Sequence, residues 1–482
     1  MPSLLALLIL LSGYRYLALD AANLDLYFDE AYYWGWSKNL AFGYYSKPPM
    51  IAWIIRAATS LCGDGELCIH TPPLLLYGLT ALVIHTIGSR LYRPATGFVA
   101  ALTFISLPLV SFYSWLTTTD ALLLFFWATG LYGFLRAIDS NGWPDWLLTG
   151  TALGLGLLSK YTAALFLVSA LLSLLWIPAY RKHLRNPKAG AALLLALLVF
   201  SPNLIWNGSM QFASFKHTAE IAHWHETRLH VDHVLEFIGV QMLLMGPVLS
   251  LIMLYASVKR QFWREMDDKL RLILSFTAPI LILYTVQALV ARANYNWAAA
   301  AYVGASLLAA NTLFGLPQKR WLQLALLSNL ILGSLVYHYG WILETSGRPL
   351  GKKTDIYISM RGWRALAEQV QILRNRFPEA GLISDNRRIL AELNYYLHPN
   401  PAHAVIWNPE GKITDHYRLT RDLSQSNQQA FVFVAEEASQ AILAGSFRTV
   451  MDLGIIRVPV HQDYTLQQQV YYVEGFLGYP KR

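Results

Sequence analysis

The chain has 482 residues, 55% hydrophobic and 14% charged, with a formal charge of +8. Soluble domains carry about 25% charged residues, and this sequence repeatedly runs apolar for about 20 residues, the length that crosses hydrocarbon as a helix. That excludes a soluble globular protein and indicates a polytopic membrane protein, whose basic excess belongs to topology and anionic lipid rather than to nucleic acid.

The first apolar segment, Leu4 to Leu19, lacks a basic n-region and a small-x-small cleavage site, so it is expected to be retained as a helix. A polar stretch follows, Tyr27-Phe28-Asp29-Glu30-Ala31-Tyr32-Tyr33-Trp34 and then Tyr44-Tyr45-Ser46-Lys47-Pro48-Pro49. Charge this close to a bilayer is costly unless it serves a function. Neighbouring carboxylates among aromatics suit proton abstraction. Asp29 is equally a candidate N-cap for a helix starting near Glu30. The two prolines make Lys47 stand on a stiff loop. Its ammonium then suits a phosphate, the alternative being a lysine that snorkels to the interface. Cys62 and Cys68 flank two glycines. An oxidising compartment permits a disulfide there, and otherwise they are inert thiols.

Eleven apolar segments are predicted as spans, at about 3–19, 71–88, 96–116, 121–137, 146–159, 161–179, 189–206, 233–257, 271–290, 298–315 and 321–341. With the N-terminus cytoplasmic, the inner connections hold about twice the Lys and Arg of the outer ones, which favours that orientation. Asp120 ends Thr117-Thr118-Thr119-Asp120 at the outer mouth of an apolar helix. It either caps that helix or joins Asp29 in an acidic cluster. The loop after the seventh segment carries His217, His223, His225, His230 and His233, read as solvated interfacial histidines with no metal site, and Arg228, which suits a phosphate. Arg292, Tyr295, Asn296 and Trp297 offer a cation, hydrogen-bonding groups and a stacking face at another outer turn. After about residue 344 the composition changes. Trp363 to Phe377 has helical periodicity, and 431–435, 455–460 and 470–473 read as strands. The expected division is a membrane domain at 1–344, with the site in its first outer loop at 20–70, and a small α/β domain at 345–482.

Together these residues resemble the GT-C membrane glycosyltransferases, in particular the superfamily of protein O-mannosyltransferases, lipid A aminoarabinose transferases and rhizobial galacturonosyltransferases. The matching marks are Asp29-Glu30-Ala31, Lys47-Pro48-Pro49, Thr119-Asp120 and Gly154-x-Gly156-Leu157-Leu158-Ser159-Lys160-Tyr161, supported by Ser201-Pro202-Asn203 and Asn296-Trp297-Ala298. The resemblance covers roughly residues 20–310. It implies a mainly α membrane bundle that transfers a sugar, with inversion, from a polyprenyl phosphate to a glycolipid, glycan or protein acceptor. The expected setting is the periplasmic face of a bacterial inner membrane. Asp29, Glu30 and Asp120 are then the expected catalytic residues. Lys47, Arg228 and Arg292 are expected at the donor phosphate, and Tyr45, Tyr295, Asn296 and Trp297 at the substrate. No cofactor is implied beyond a divalent cation, and Ser46 stands where the aminoarabinose transferases tend to carry a Glu that would help bind one. Membrane lipid is the other expected partner; nucleic acid is not. Two rival readings are a transporter or flippase for lipid-linked sugars, which predicts inverted repeats or paired broken helices, and a non-catalytic subunit of a glycan assembly complex.

Overall fold

The computed structural model describes residues 2–221, 229–315, 318–397 and 404–479. They form two compact units. The first comprises Met1–Leu19, Lys47–Ile54 and His70–His338; the second comprises Asp20–Ser46, Ile55–Ile69 and Tyr339–Arg482. This differs from the division drawn along the sequence. The polar stretch around Asp29 and the cysteine loop group with the tail, not with the membrane helices. The reason is a set of specific bonds: the Asp25 carboxylate accepts the Trp363 N–H at 2.8 Å, Arg364 pairs with Glu66 at 2.6 Å, and the Phe28–Ser37 helix packs on the Arg387–Tyr396 helix.

The first unit is helical. Among the described residues six helical stretches are long and apolar enough to cross a bilayer: Pro2–Ala22, Glu66–Leu91, Thr119–Ser140, Pro187–Ser209, Asp268–Val290 and Arg320–Thr345. All eleven apolar segments of the sequence are helical, but several are shorter or interrupted. The 96–116 segment splits into Pro94–Ser106 and Pro108–Tyr113, because Leu107 before the proline leaves the helical region (ψ 136°). The 233–257 segment splits into Val231–Met245 and Pro247–Val258, bent by 110°. Gly246 at that break has φ 96°, and a Cβ there would lie 1.8 Å from Asn329 Oδ1, so conformation and space both require glycine. Among the described residues this is one bent pair, not the two matched breaks that the transporter reading predicts.

Close helix contact in this unit depends on small residues. A Cβ on Gly150 would meet the Ala192 carbonyl at 2.3 Å, and one on Gly154 would meet Val199 Cβ at 2.6 Å. On the same Pro187–Ser209 helix, Ala192, Ala196 and Asn203 are buried, while Leu193, Leu194, Leu197 and Leu198 are exposed. An apolar exposed face over a small-residue inner face is the arrangement of a helix solvated by lipid. The protein is a multi-pass membrane helical bundle.

The second unit carries a five-stranded sheet of order β2-β1-β3-β5-β4, with β1 Gly381–Ser384, β2 Val405–Ile406, β3 Ala430–Ala435, β4 Phe447–His461 and β5 Tyr464–Phe476. β2, β1 and β3 are parallel, and β5 and β4 continue antiparallel. Phe431, Phe433, Ile383, Val473 and Trp407 form its core. The expected strands at 431–435, 455–460 and 470–473 fall within β3, β4 and β5, and the Trp363–Arg374 helix lies where periodicity placed one. Cys62 and Cys68 form a disulfide.

Candidate active site

The Phe28–Ser37 helix starts from Tyr27, whose backbone is extended (φ −72°, ψ 138°), and it carries Asp29 and Glu30 in its first turn, where a helix favours negative charge. Glu30 is fully buried, and its carboxylate reaches back to accept the Tyr27 N–H at 3.1 Å. Capping therefore falls to Glu30, and the N-cap position to Tyr27 rather than Asp29. Asp29 stays half-exposed. Facing this helix is the first turn of the Arg387–Tyr396 helix, capped by Asn386, whose side chain accepts the Arg388 N–H at 2.7 Å. The Arg388 guanidinium lies 4.5 Å over the Phe28 ring, and Arg387 lies 5.7 Å from both Phe28 and Tyr32. Burial works against the Arg387 charge, but Asp29, followed by Tyr32 and Asp415, holds its pKa above the usual value. The arginines next to Asp29 thus come from the far end of the chain.

Glu392, on the same Arg387–Tyr396 helix, is fully buried, and neither carboxylate oxygen has a hydrogen-bond partner among the described residues. Burial, reinforced by Asp25, Glu30 and Glu66, pushes its pKa well above the ordinary carboxylate range. Tyr45, expected at the substrate, is buried, and its hydroxyl donates to the Ile413 carbonyl at 3.0 Å.

In the helical unit Lys47 is half-buried on a bend held by Pro48 and Pro49, and the Pro49 carbonyl starts the Met50–Cys62 helix by accepting the Ala52 and Trp53 N–H groups. Asp120 is buried in the first turn of the Thr119–Ser140 helix. Thr118, not Asp120, caps that helix. Lys160 Nζ lies 2.6 Å from Asp120 Oδ1, and Asn296 Nδ2 donates to Oδ2 at 2.8 Å. Lys160 reaches it because the Trp143–Ser159 helix stops there and the backbone turns extended (φ −156°, ψ 132°). One residue on, the Tyr161 hydroxyl donates to Asn203 Oδ1 at 3.2 Å. Tyr295 donates to Glu236, and Arg292 lies 3.4 Å from the same carboxylate with its side chain 72% exposed. Trp297 packs against Tyr284 with ring centroids 5.8 Å apart.

The residues predicted from sequence therefore fall into three groups. Asp29, Glu30 and Tyr45 belong to the second unit. Lys47, Asp120, Arg292, Tyr295, Asn296 and Trp297 belong to the first. Arg228, with His223 and His225, lies outside the described residues. Within the first unit, Asp120 and Asn296 are bonded to each other, and Arg292 and Tyr295 share Glu236. Lys160, Arg387, Arg388 and Glu392 were given no role from sequence. Only Lys160 carried a signal, a charge interrupting two apolar runs.

A helical membrane unit, and a second unit with a carboxylate-bearing helix and a mixed sheet, make up a membrane protein of the GT-C fold. The chain aligns in fold with ArnT from Cupriavidus metallidurans in the apo state, with TM-score 0.63 and 14% identity over 97% of both chains, and with ArnT bound to undecaprenyl phosphate, with TM-score 0.62. Residues 46–206 match the family described as dolichyl-phosphate-mannose-protein mannosyltransferase. The chain is 33% identical over 421 residues to the lipid A galacturonosyltransferase RgtD of Rhizobium johnstonii, covering 85% of this chain and 87% of the relative. It is 35% identical over 194 residues to the lipopolysaccharide core galacturonosyltransferase RgtA of the same organism, 39% of each chain. It belongs to this family of rhizobial galacturonosyltransferases and is a glycosyltransferase.

Two predictions follow from the buried charges. Asp120→Asn leaves Lys160 buried without its counter-ion and should destabilise the protein by about 3–5 kcal/mol, whereas the paired change Asp120→Leu with Lys160→Met should recover most of that loss. Thermal unfolding in detergent measures both, and a single variant as stable as the parent removes the ion pair from the stability account. Glu392 has a folded pKa raised above its ordinary 4.5. Its contribution to stability is complete below that pH and is lost as pH rises from there toward the folded pKa. Glu392→Gln, neutral throughout, should unfold with a flatter pH dependence between about pH 4.5 and 7 and be more stable at pH 7. Unfolding curves at stepped pH decide this, an unchanged slope counting against a protonated Glu392.

Proposed function

We propose that this enzyme transfers a single galacturonosyl residue from a polyprenyl phosphate to lipid A or the adjoining lipopolysaccharide core, at the periplasmic face of a bacterial inner membrane. The observation that carries this reading is the 33% identity to a lipid A galacturonosyltransferase across 87% of that relative. The donor class is supported by the undecaprenyl phosphate bound to a protein of the same fold. The orientation is supported by the Cys62–Cys68 disulfide in the unit that carries Asp29, since disulfides persist in oxidising compartments.

In this reading an acceptor hydroxyl attacks the anomeric carbon, the bond from that carbon to the phosphate oxygen breaks, and polyprenyl phosphate leaves as an anion. Inversion follows from attack opposite the leaving group. The hydroxyl proton passes to Asp29, the half-exposed carboxylate of the pair; Glu30 is occupied at the helix start and keeps the first turn in place. Arg387, whose charge Asp29 supports, gives that carboxylate a cationic neighbour. Lys47, with Arg228 and Arg292, answers the charge that develops on the donor phosphate. Arg292 is available for this because its pair with Glu236 is solvent-exposed and weak. The Asp120–Lys160–Asn296 cluster holds the Asn296-Trp297 turn in position without meeting the reacting atoms.

The direct test is purified chain with polyprenyl-phosphate galacturonic acid and rhizobial lipid A. Mass spectrometry should show one added uronosyl residue, and no addition with both substrates present would overturn the proposal. Asp29→Asn should reduce turnover by about 10²-fold or more at normal expression, while Glu30→Gln, which keeps an acceptor for the Tyr27 N–H, should cost much less. Equal losses in the two variants would separate Asp29 from the chemistry. Because lysine and arginine side chains are assigned the charge compensation, EDTA should leave turnover unchanged. A loss restored by a divalent cation would transfer that role to a metal.

A further inference from the structure

The second unit holds a crevice of about 560 Å³ that none of the candidate site residues lines. It opens at the carboxyl ends of the parallel strands. Asp385 follows β1, Asn408 follows β2, and Glu437 and Ala438 follow β3; all four line it. From β1 the chain crosses to β2 on one side, and from β3 it leaves toward β4 on the other. The crevice therefore sits where connections diverge, the position at which open α/β sheets bind ligands. Its size is that of a small-molecule site.

The lining is polar, and its carboxylates, Asp385, Glu410 and Glu437, outnumber its cations, Lys412 and Arg418. The Asp385 carboxylate accepts three backbone N–H groups, from Glu436 at 2.8 Å, Glu437 at 2.9 Å and Ala438 at 2.8 Å. Arg418 is bound to Asp415 and donates to the Asp385 carbonyl at 2.9 Å. Lys412 pairs with Glu410 at 3.1 Å. A phosphate or polyanion needs a net cationic lining, whereas here Arg418 is held by Asp415 and three lining carboxylates outnumber the two cations. Hydroxyl and amide groups at Thr414 and Asn408, with the apolar Ile442 at the rim, suit alternating hydroxyl and C–H surfaces. The rim is also tied to the Asp29 helix. Ile413, between Lys412 and Thr414, accepts the Tyr45 hydroxyl, and the His416 N–H donates to Tyr32 Oη at 2.5 Å.

We propose that this crevice binds an uncharged saccharide stretch of the acceptor glycan, an inference that rests on the acceptor being a glycan or glycolipid. Segment 413–418 then links acceptor binding to the helix that carries Asp29. The test uses the full chain in detergent with the delipidated oligosaccharide of rhizobial lipopolysaccharide. Saturation-transfer NMR should show that sugar bound. Ile442→Trp, which fills the crevice from its exposed rim, should abolish the signal and raise the acceptor KM by about tenfold or more with kcat retained. Thr414→Leu is the second variant should the first unfold, and it should act in the same direction. A parent that transfers sugar while both folded variants keep its KM and NMR signal overturns this inference alone. A parent that binds the oligosaccharide through the crevice but adds no uronosyl residue overturns the proposed function and leaves the crevice as a saccharide site.

Discussion

The helical unit is organised around one buried ion pair. Asp120 and Lys160 lie 2.6 Å apart with almost no solvent contact, and a buried carboxylate is tolerated only when its charge and lone pairs are answered. Lys160 meets one oxygen and Asn296 the other, so two distant chain segments are bound to a single carboxylate. The need to satisfy Asp120 explains why the Trp143–Ser159 helix ends where it does, and why the Tyr295–Ala298 turn lies where it does. Asp120 is bound to these two donors, and it fixes the segments that carry them.

The second unit solves a different problem with the same residue types. Asp25, Glu30, Glu66 and Glu392 bring acidic groups into a poorly solvated region, and they are accommodated in different ways. Asp25 accepts the Trp363 N–H, Glu66 pairs with Arg364, and Glu30 closes a helix terminus. Glu392 has no such partner among the described residues, and burial pushes its pKa well above the ordinary carboxylate range. Asp29 lies next to this cluster, half-exposed, and supports the charge of Arg387. Adjacent positions in one helical turn thus differ: Glu30 is buried and bonded to the helix start, and Asp29 is half-exposed.

Much of this was legible in the sequence wherever the signal is local. Apolar runs forecast the helical bundle, and alternation forecast β3, β4 and β5, because burial periodicity is written into neighbouring residues. The motifs Asp29-Glu30 and Lys47-Pro48-Pro49, and the Thr119-Asp120 mark, placed the chain among glycosyltransferases. The breaks at Leu107 and Gly246 were less visible. Proline and glycine mark them locally, but whether an apolar run bends depends on what packs against it, as Asn329 does at Gly246. β1 and β2 are too short, at 4 and 2 residues, to show a period.

What the sequence determined by itself is the class of protein: membrane residence, helix content, and the short polar stretches where charge is kept despite its cost. These follow from composition and from spacing within a few residues. Only the tertiary structure decided which carboxylate does what. Asp120 takes its counter-ion from Lys160, 40 residues away, and Asp29 its neighbouring arginine from position 387. Local patterning cannot specify such pairings, because the energy of a charge depends on its whole surroundings, and in this protein those surroundings come from distant parts of the chain.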